Sequence, residues 1–296
     1  MNEFVEKKNI DLKNYNTYKI GGVAKYLIKP KTAYDLKPIF DELKNKNIPY
    51  LLLGGGSNVI LPDEDFNGAI IKLDNLNEVE FKGKFCYAGA GILLNKLIKT
   101  CIDNGYVNLK KLYGIPGTLG GAIRGNAGCN NDEIFNHLIS ILVYDDGVIK
   151  YLNKEDIDYS YRETSFKKNN MIILGAILKI ELGDANEAYE YIKEIFKDRI
   201  SKQPLEYPSA GSVFKNPKGN SAGKLIDECG LKNLSIGGAK VSDKHANFII
   251  NYEFAKSSDI IKLIEEIKKE VKLKKNIDLE LEQIIIKWWL VWQRRK

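Results

Sequence analysis

The 296-residue chain has little of what metal sites and disulfide frameworks are made from. Its cysteines stand far apart and never in CxxC spacing: Cys86, Cys101, Cys129 and Cys229. Only two histidines, His137 and His245, are available to join them. A structural zinc site needs closely spaced ligands, and a disulfide framework needs cysteines in a pairing pattern. We therefore expect neither, and no bound metal.

Long apolar runs are also missing. None approaches the roughly 20 residues that a membrane helix needs, and the first residues, MNEFVEKKNIDLKNYN, are polar rather than a charged and apolar leader. Apolar residues make up 44% and charged residues 28% of the chain, which is typical of a soluble globular protein. We expect a cytoplasmic protein without a membrane span, and a chain of this length predicts two domains.

The charge of the chain is mildly positive, with a formal net charge of +6. The lysines are spread along the chain among nearly as many acids, which is typical of a solvated surface rather than a nucleic-acid site. We therefore expect no nucleic-acid partner. A mildly positive field would, however, attract anionic small molecules, including a phosphorylated substrate.

Two glycine-rich loops are the most informative feature. The central loop, residues 113–128, reads YGIPGTLGGAIRGNAG and holds six glycines; because glycine loses much backbone entropy in regular elements, we expect neither helix nor strand there. The first loop, residues 53–58 (LGGGSN), lies between two apolar runs. A single glycine loop is more often a tight turn than a phosphate site. Two such loops at strand ends predict one extended ligand with two ends.

Neither loop carries a standard nucleotide motif. No Gly-Lys-Ser/Thr closes either loop, and neither reads GxGxxG at the start of a helix. A nucleotide triphosphatase and an ordinary Rossmann domain are therefore poor interpretations.

Hydrophobic periodicity predicts a strand, helix, strand unit before the first loop: a strand at 24–30, a helix from Thr32 to about Lys46 and a buried strand at Tyr50–Leu53. Further expected elements are a short strand within 16–22, short strands within 69–88, a helix at 93–104, a hairpin at 139–152 turning at Asp146-Gly147, a strand at 171–182, a helix at 186–202, a small strand at 212–214, helices at 221–229 and 258–274, and a last strand at 279–286.

Several motifs follow one another in a fixed order: NTYKIGG, LGGGSNVI, GIPGTLGGAIRGNAG, YRETSF, AGSVFKNP, GAKVSDKHANFIIN and LELE. A chain with this series resembles the UDP-N-acetylenolpyruvoylglucosamine reductases, flavoenzymes of bacterial cell-wall synthesis, over nearly its whole length. The resemblance implies an α+β fold: an FAD-binding domain of the vanillyl-alcohol oxidase/PCMH type at 1–185, with subdomains at about 1–75 and 76–185, and a smaller α+β substrate-binding domain at 186–296. It also implies the shorter subclass, without an extra substrate-gating loop.

The reaction implied by the resemblance is the NADPH-dependent reduction of UDP-N-acetylglucosamine enolpyruvate to UDP-N-acetylmuramate, with FAD as the bound cofactor. By their places in the motifs, Arg162 would bind the substrate carboxylate, Ser212 would donate a proton and Glu282 would assist. Lys202 and Asn216 would contact the substrate. The cofactor-binding residues implied are Gly54, Gly55, Gly56, Ser57, Asn58, Val59, Pro116, Gly117, Thr118, Gly120, Gly121, Ala122, Asn126 and Gly128.

The chemistry makes this trio sensible. Hydride placed on C3 of an enolpyruvyl ether leaves negative charge on C2, delocalised into the carboxylate. A guanidinium offers a planar, permanently charged fork to that carboxylate, and a hydroxyl held at hydrogen-bonding distance can protonate the carbanion. All three residues are therefore expected to face one cavity beside the glycine loops.

Other interpretations stay open. Read singly, Ser212 is a turn serine and Glu282 an outward-facing strand residue, with Glu280 on the same face. An FAD oxidase of alcohols or sugars would share the flavin fold, often with flavin attached through histidine. A non-catalytic nucleotide-binding or nucleic-acid-binding protein is a third possibility.

The C-terminal end departs from the family pattern. Gln283 and Ile284 stand where the family usually has valine and arginine, and the chain continues as IIKWWLVWQRRK. We expect Trp288 and Trp289 to pack on the last helix, although a membrane-surface or partner-binding tail is an alternative.

Overall fold

The computed structural model describes residues 4–293, apart from the side chains of 290, 292 and 293. The chain forms two compact units, each built from separated stretches. The first unit contains residues 4–6, 27–55 and 70–199, and the second contains residues 7–26, 56–69 and 200–293. Within the described residues, no helix is both long and apolar enough to cross a membrane.

The helices and strands make an α+β fold. The α-helices described are α1 (Leu36–Asn45), α2 (Leu94–Asp103), α3 (Leu119–Arg124), α4 (Ala185–Lys202), α5 (Ala222–Glu228), α6 (Ser257–Lys275) and α7 (Trp288–Gln293). The strands described are β1 (Val5–Asp11), β2 (Val23–Ile28), β3 (Tyr50–Leu52), β4 (Val59–Ile60), β5 (Phe66–Ile71), β6 (Val79–Lys82), β7 (Phe85–Gly89), β8 (Gly128–Cys129), β9 (Asp132–Glu133), β10 (Leu138–Asp145), β11 (Val148–Asn153), β12 (Tyr159–Ser160), β13 (Glu163–Thr164), β14 (Ile172–Lys179), β15 (Ser235–Ile236), β16 (Ala239–Val241), β17 (Ile249–Asn251) and β18 (Ile284–Ile285).

The first unit contains a five-stranded antiparallel sheet in the order β11-β10-β14-β7-β6. The predicted hairpin between β10 and β11 is confirmed: Asp145 pairs with Val148, and the turn residues Asp146 and Gly147 have φ angles of 44° and 93°. Two left-handed residues in succession make the tight turn that matches strand twist. A separate four-stranded sheet has the order β1-β2-β5-β3.

The central glycine-rich loop contains a helix, α3, so our expectation of neither helix nor strand was wrong. Thr118 caps this helix, its Oγ1 accepting a hydrogen bond from Gly121 N at 3.3 Å. α3 packs closely on the chain that follows β7, where a Cβ at Gly120 would lie 3.0 Å from Ala90 Cβ. Close packing at Gly120 and the Thr118 cap outweigh the roughly 1 kcal/mol that glycine costs in a helix.

The second unit has its core around α5, α6 and the antiparallel sheet β15-β16-β17. The apolar stripe predicted for α6 is confirmed at four positions: Ile260, Ile264, Ile267 and Val271. Ile261, which was also expected on the stripe, is only partly buried, whereas Leu263 is buried. Strand β18 pairs in parallel with β4, with Ile284 opposite Val59. This pairing joins the end of the first glycine loop to the segment that follows Glu282.

Three predicted strands are absent or shorter within the described residues. Residues 16–22 are irregular because the Asn16 side chain donates to Leu12 O and Ile20 O, both at 2.7 Å, in place of a strand ladder. The strands expected at 212–214 and 279–286 meet only at one bridge, Phe214 to Leu281, beyond which β18 alone remains. Strand β3 is only partly buried, whereas Leu53 after it is buried.

Trp288 packs on strand β5, and its expected packing on the last helix stays a prediction. Its ring stacks on Phe66 with centroids 4.2 Å apart, and its Nε1 donates to Glu64 O at 2.9 Å. Trp289 is 57% exposed. The basic residues 294–296, part of the alternative tail, lie outside the described residues.

Candidate active site

Arg162 occupies the tip of a tight hairpin in the first unit. Ser160 of β12 pairs with Glu163 of β13, so only Tyr161 and Arg162 form the turn, and Arg162 has a φ angle of 59°. Its Nη2 donates to Gly128 O at 2.5 Å and its Nη1 to Asn126 O at 3.3 Å. The structure therefore brings Arg162 onto the central glycine loop.

The two glycine-rich loops touch each other in the first unit. A Cβ at Gly54 would lie 2.9 Å from Thr118 Oγ1, and one at Gly55 would lie 2.8 Å from Gly117 Cα. Gly55 has no room for a side chain because it faces the backbone of Gly117, and a side chain at Gly54 would displace the Thr118 hydroxyl that caps α3. The two loops thus form one continuous surface, as a single extended ligand requires.

The two glycine-rich loops differ in which backbone N–H groups already donate a hydrogen bond within the protein. At the start of α3, Leu119 N donates to Ile92 O and Gly120 N to Ala90 O, both at 2.9 Å. The N–H groups of Gly54 and Gly55, by contrast, donate no hydrogen bond to any residue that the structure describes. The first loop therefore keeps backbone donors of the kind that bind phosphate oxygens.

Lys72 supports the first glycine loop and was not predicted from the sequence. The side chain is buried, and its Nζ donates to Gly54 O at 2.5 Å. Burial lowers the pKa of Lys72, and Asp74, 3.4 Å away, opposes that shift. The signal was present as a lysine in the otherwise apolar run AIIKL, but it was not interpreted.

Asn126 offers a direct test of whether FAD fits. The residue is fully buried, with a φ angle of 42°, and its Nδ2 donates to Ser160 O at 2.9 Å. Its Oδ1 is buried without a hydrogen-bond partner among the residues described. A buried acceptor without a donor is costly, and a hydroxyl or N–H of a bound flavin nucleotide would satisfy it. Together with the open amides, Asn126 shows that the loop residues fit FAD.

The remaining predicted cofactor residues divide between loop and helix. Ala122 is buried inside α3, Gly121 is exposed beside it, Pro116 is exposed and Ser57 is half-buried. Gly56 has a φ angle of 65°, and a Cβ there would lie 2.2 Å from Tyr15 O. Glycine is therefore required at Gly56 by conformation as well as by space.

Asn58 is engaged with the protein rather than pointing freely at a ligand. Its Nδ2 donates to Glu282 O at 3.1 Å, and its own carbonyl accepts from Ile284 N at 3.0 Å. Val59 follows in β4 and pairs with Ile284. The end of the first loop is thus fastened to the segment that carries Glu282.

Ser212 and Glu282 lie on neighbouring segments of the second unit. Glu282 N donates to Val213 O at 2.9 Å, and Lys215 N donates to Glu280 O at 2.8 Å. Both Ser212 and Glu282 are half-buried. The Glu280 carboxylate, in contrast, is 72% exposed and pairs with Lys215 Nζ at 2.6 Å.

The two predicted substrate contacts lie at helix ends. Asn216 is exposed, and its Oδ1 accepts from Ala222 N at 3.0 Å, at the start of α5. Lys202 is the last residue of α4 and is exposed.

Arg199 is a second arginine beside the central loop that the sequence analysis missed. Its side chain lies over Gly114, where an added Cβ would be 2.8 Å from Arg199 Cδ. Burial lowers the pKa of Arg199, and within the described residues no carboxylate pairs with it. Burial also raises the pKa of the nearby Cys129 thiol, whereas the positive charges of Arg199 and Arg162 act to lower it. No sequence pattern distinguishes Arg199 from the other charged residues of α4, so it could not be predicted as a site residue from the sequence.

Comparison with protein families places two matches on the chain. Residues 24–150 match the family described as FAD binding domain, and residues 203–286 match the C-terminal domain of UDP-N-acetylenolpyruvoylglucosamine reductase. The first match contains both glycine loops, and the second contains Ser212 and Glu282.

Known relatives match over nearly the full length. The UDP-N-acetylenolpyruvoylglucosamine reductase of Clostridium tetani is 41% identical over 95% of this chain and 92% of its own. The enzyme of the same name from Clostridium novyi is 40% identical over the same shares. The crystal structure of UDP-N-acetylenolpyruvylglucosamine reductase from Thermus caldophilus superposes with a TM-score of 0.82 at 33% identity, covering 96% of this chain and 100% of that one.

Proposed function

The chain belongs to the UDP-N-acetylenolpyruvoylglucosamine reductase family, and on that premise we propose that Arg162, Ser212 and Glu282 carry its reaction. The enzyme is an FAD-dependent and NADPH-dependent oxidoreductase that reduces UDP-N-acetylglucosamine enolpyruvate to UDP-N-acetylmuramate for peptidoglycan synthesis. The family, fold class and cofactors predicted from the ordered motifs are thereby confirmed.

Arg162 binds the substrate carboxylate. When FAD is bound, it supplies the hydride that NADPH delivered to it, and the substrate gains negative charge beside its carboxylate. A fixed guanidinium stabilises such developing charge without reorganising, which is commonly worth about 3 kcal/mol per donor. The turn and the Asn126 and Gly128 carbonyls hold Arg162 in place, which supports this role.

Ser212 donates the proton that completes the reduction. A hydroxyl is a weak acid, but the carbanion at C2 is basic enough to take its proton at hydrogen-bonding distance. The half-buried position of Ser212, on a segment bonded to the one that carries Glu282, supports this assignment.

Glu282 assists from the neighbouring segment, and Glu280 does not. Glu280 is exposed and paired with Lys215, so its carboxylate is already compensated on the surface. Glu282 is half-buried, and its carbonyl is bound by Asn58 at the end of the first glycine loop. With its backbone held between the end of the loop and the Ser212 segment, Glu282 can use its carboxyl to orient Ser212 or the substrate.

The first loop binds the pyrophosphate of FAD, and the central loop shapes the rest of the cofactor site. The N–H groups of Gly54 and Gly55, which donate to no described residue, support pyrophosphate binding by the first loop. The buried Asn126 Oδ1, which has no hydrogen-bond partner among the described residues, supports cofactor binding by the central loop. Lys72 helps by holding the Gly54 carbonyl inward, which turns the following amides towards the ligand.

Lys202, Asn216 and Arg199 bind the remaining anionic and polar groups of the substrate. Asn216 is taken from the family motif AGSVFKNP, and Lys202 matches a family lysine near the phosphates of the nucleotide, just before the proline-rich loop. Arg199 is added because burial lowers its pKa and no carboxylate among the described residues pairs with it, so a bound anion would stabilise its charge.

The domain division proposed is 1–185 for FAD and 186–296 for the substrate. The matches at 24–150 and 203–286 each fall inside one of these ranges, which supports the division. A nucleotide-sugar substrate and NADPH are both consistent with the cytoplasm as the place of action.

A visible spectrum of the purified protein tests the function as a whole. We expect a yellow protein whose flavin absorption is bleached by NADPH and returns on anaerobic addition of the enolpyruvyl substrate. Acid precipitation should release the flavin. Flavin that remains attached to the precipitated protein, or a folded protein that takes up no FAD, would contradict the proposal.

A further inference from the structure

We propose that Gln283 is a positioning residue that orients the backbone carrying Ser212, a role that rests on Ser212 being the proton donor. Its side chain is only 3% exposed. Its Nε2 donates to two successive carbonyls, Ala210 O at 3.1 Å and Gly211 O at 3.2 Å. These are the two peptide groups directly before Ser212.

Tyr18 fixes the direction of the Gln283 amide. The Tyr18 side chain is fully buried, and its hydroxyl donates to Gln283 Oε1 at 3.1 Å. Burial raises the pKa of Tyr18, so the hydroxyl keeps the proton that it donates. With its oxygen occupied by Tyr18, the Gln283 amide must present its NH₂ group to the two carbonyls.

A second buried amide holds the chain on the other side of Ser212. Asn247 Oδ1 accepts from Phe214 N at 3.0 Å, and its Nδ2 donates to Phe214 O at 2.8 Å. The Asn247 carbonyl also accepts from Val213 N at 2.9 Å. Residues 210–214 are therefore clamped before and after Ser212, although they form no regular strand.

Gln283 also links the proton donor to Glu282. It follows Glu282 directly, and the amides of both residues point at Val213 O, at 2.9 Å from Glu282 N and 3.4 Å from Gln283 N. A shift of the Gln283 side chain would therefore move the Ser212 segment relative to the acid. Misplacing a catalytic group by about 1 Å can cost on the order of 100-fold in rate.

Gln283→Met tests this proposal because methionine keeps the length and volume of glutamine but cannot bond to the carbonyls. We expect reoxidation of NADPH-reduced flavin by the enolpyruvyl substrate to slow by at least about 10-fold, with unchanged reduction by NADPH. Backbone amides of 210–214 should exchange hydrogen faster in the substrate-free holoenzyme.

Ser257→Ala is the matched control. Ser257 is buried in the same unit, and its hydroxyl donates to Asp63 Oδ2 at 2.8 Å. The variant loses a buried hydrogen bond and some stability, as Gln283→Met does, but it should leave both half-reactions and the exchange at 210–214 unchanged.

Gln283→Glu adds a pH readout that a purely structural role would not produce. Burial next to two carbonyls raises the pKa of the introduced carboxyl. Its protonated form can donate to one carbonyl, whereas its ionised form repels both. Reoxidation by substrate should therefore be faster at low pH and fall as pH rises through that pKa, with no such limb in the wild type.

The outcomes separate this proposal from the proposed function. If Ser212→Ala slows reoxidation selectively but Gln283→Met behaves as wild type, the positioning role is overturned and the function stands. If Ser212→Ala slows neither half-reaction selectively, the proposed function itself fails. Should Gln283→Met not fold, Tyr18→Phe decides: selective slowing of reoxidation supports the role, and equal rates overturn it.

Discussion

Arg162 and Ser212 are held in place in contrasting ways. Arg162 lies at the tip of a hairpin whose paired residues, Ser160 and Glu163, are only three positions apart. Local turn chemistry thus places Arg162, and two loop carbonyls then fix its side chain. Ser212 has no regular element of its own, and its neighbours are held by side chains from distant parts of the sequence, Gln283 and Asn247.

This contrast explains what each residue can tolerate. Arg162, which is placed by its own turn, should keep its role when distant residues are substituted and lose it when Arg162 itself is substituted. Ser212, which is placed by the amides of Gln283 and Asn247, should lose its role when either amide is substituted as well as when Ser212 itself is substituted.

The largest effect is expected for Ser212→Ala. Loss of a positioned general acid commonly costs 10²-fold to 10⁴-fold, so flavin reoxidation by substrate should slow by about that factor in stopped-flow measurements. Flavin reduction by NADPH should not change. Ser209→Ala, three residues earlier in the same irregular segment, is the control and should match the wild type. Equal loss of both half-reactions in Ser212→Ala would refute the proton-donor role.

Arg162→Lys should have the next largest effect. Lysine keeps the charge but loses the planar fork and tolerates the left-handed turn no better. We expect reoxidation to slow by about 10²-fold, the cost typical of losing one donor to developing charge. Flavin content should stay normal, because the hairpin forms locally. A variant whose flavin is reoxidised at the wild-type rate would contradict a role for Arg162 in the reaction.

A matched pair of carboxamides separates the two acids of LELE. Glu282→Gln should slow reoxidation by roughly 10-fold, the factor that corresponds to losing a hydrogen bond to a charged group. Glu280→Gln breaks an exposed ion pair with Lys215, which is worth at most about 1 kcal/mol of stability, and should leave the rate unchanged. The reverse result would move the acid assignment to Glu280.

The smallest effect concerns the packing of the two glycine loops. Gly55→Ala would place a Cβ 2.8 Å from Gly117 Cα, and such overpacking costs about 1–3 kcal/mol. Thermal unfolding should therefore occur at lower temperature, with less FAD bound. Gly125→Ala in the central loop is the control. The φ angle of Gly125 is −96°, and the atom nearest to its added Cβ would be Gly121 O at 3.5 Å, an ordinary contact. Equal behaviour of the two variants would show that the loops do not pack as described.

The parts of the fold that depend on local pattern could be predicted from the sequence. The stripe of α6 and the Asp146-Gly147 turn both follow from residues a few positions apart. The ordered motifs identified the family and with it the candidate site residues.

What the sequence could not predict depends on contacts between distant residues. Helix α3 forms because Gly120 packs on Ala90, which overrides the low helix propensity of glycine. Trp288 stacks on Phe66, which lies far from it in the sequence. Gln283 is a departure from the family pattern in the sequence, and only its three hydrogen bonds in the structure give it a role.

The central claim is that Arg162 and Ser212 act on one substrate group although they are held by unrelated parts of the chain. A crystal structure of the FAD-loaded protein with the enolpyruvyl substrate tests it most directly. The account predicts the substrate carboxylate in a hydrogen bond with the Arg162 guanidinium and Ser212 Oγ within about 3.5 Å of C2. A carboxylate bound elsewhere, or a Ser212 hydroxyl turned away from C2, would contradict it.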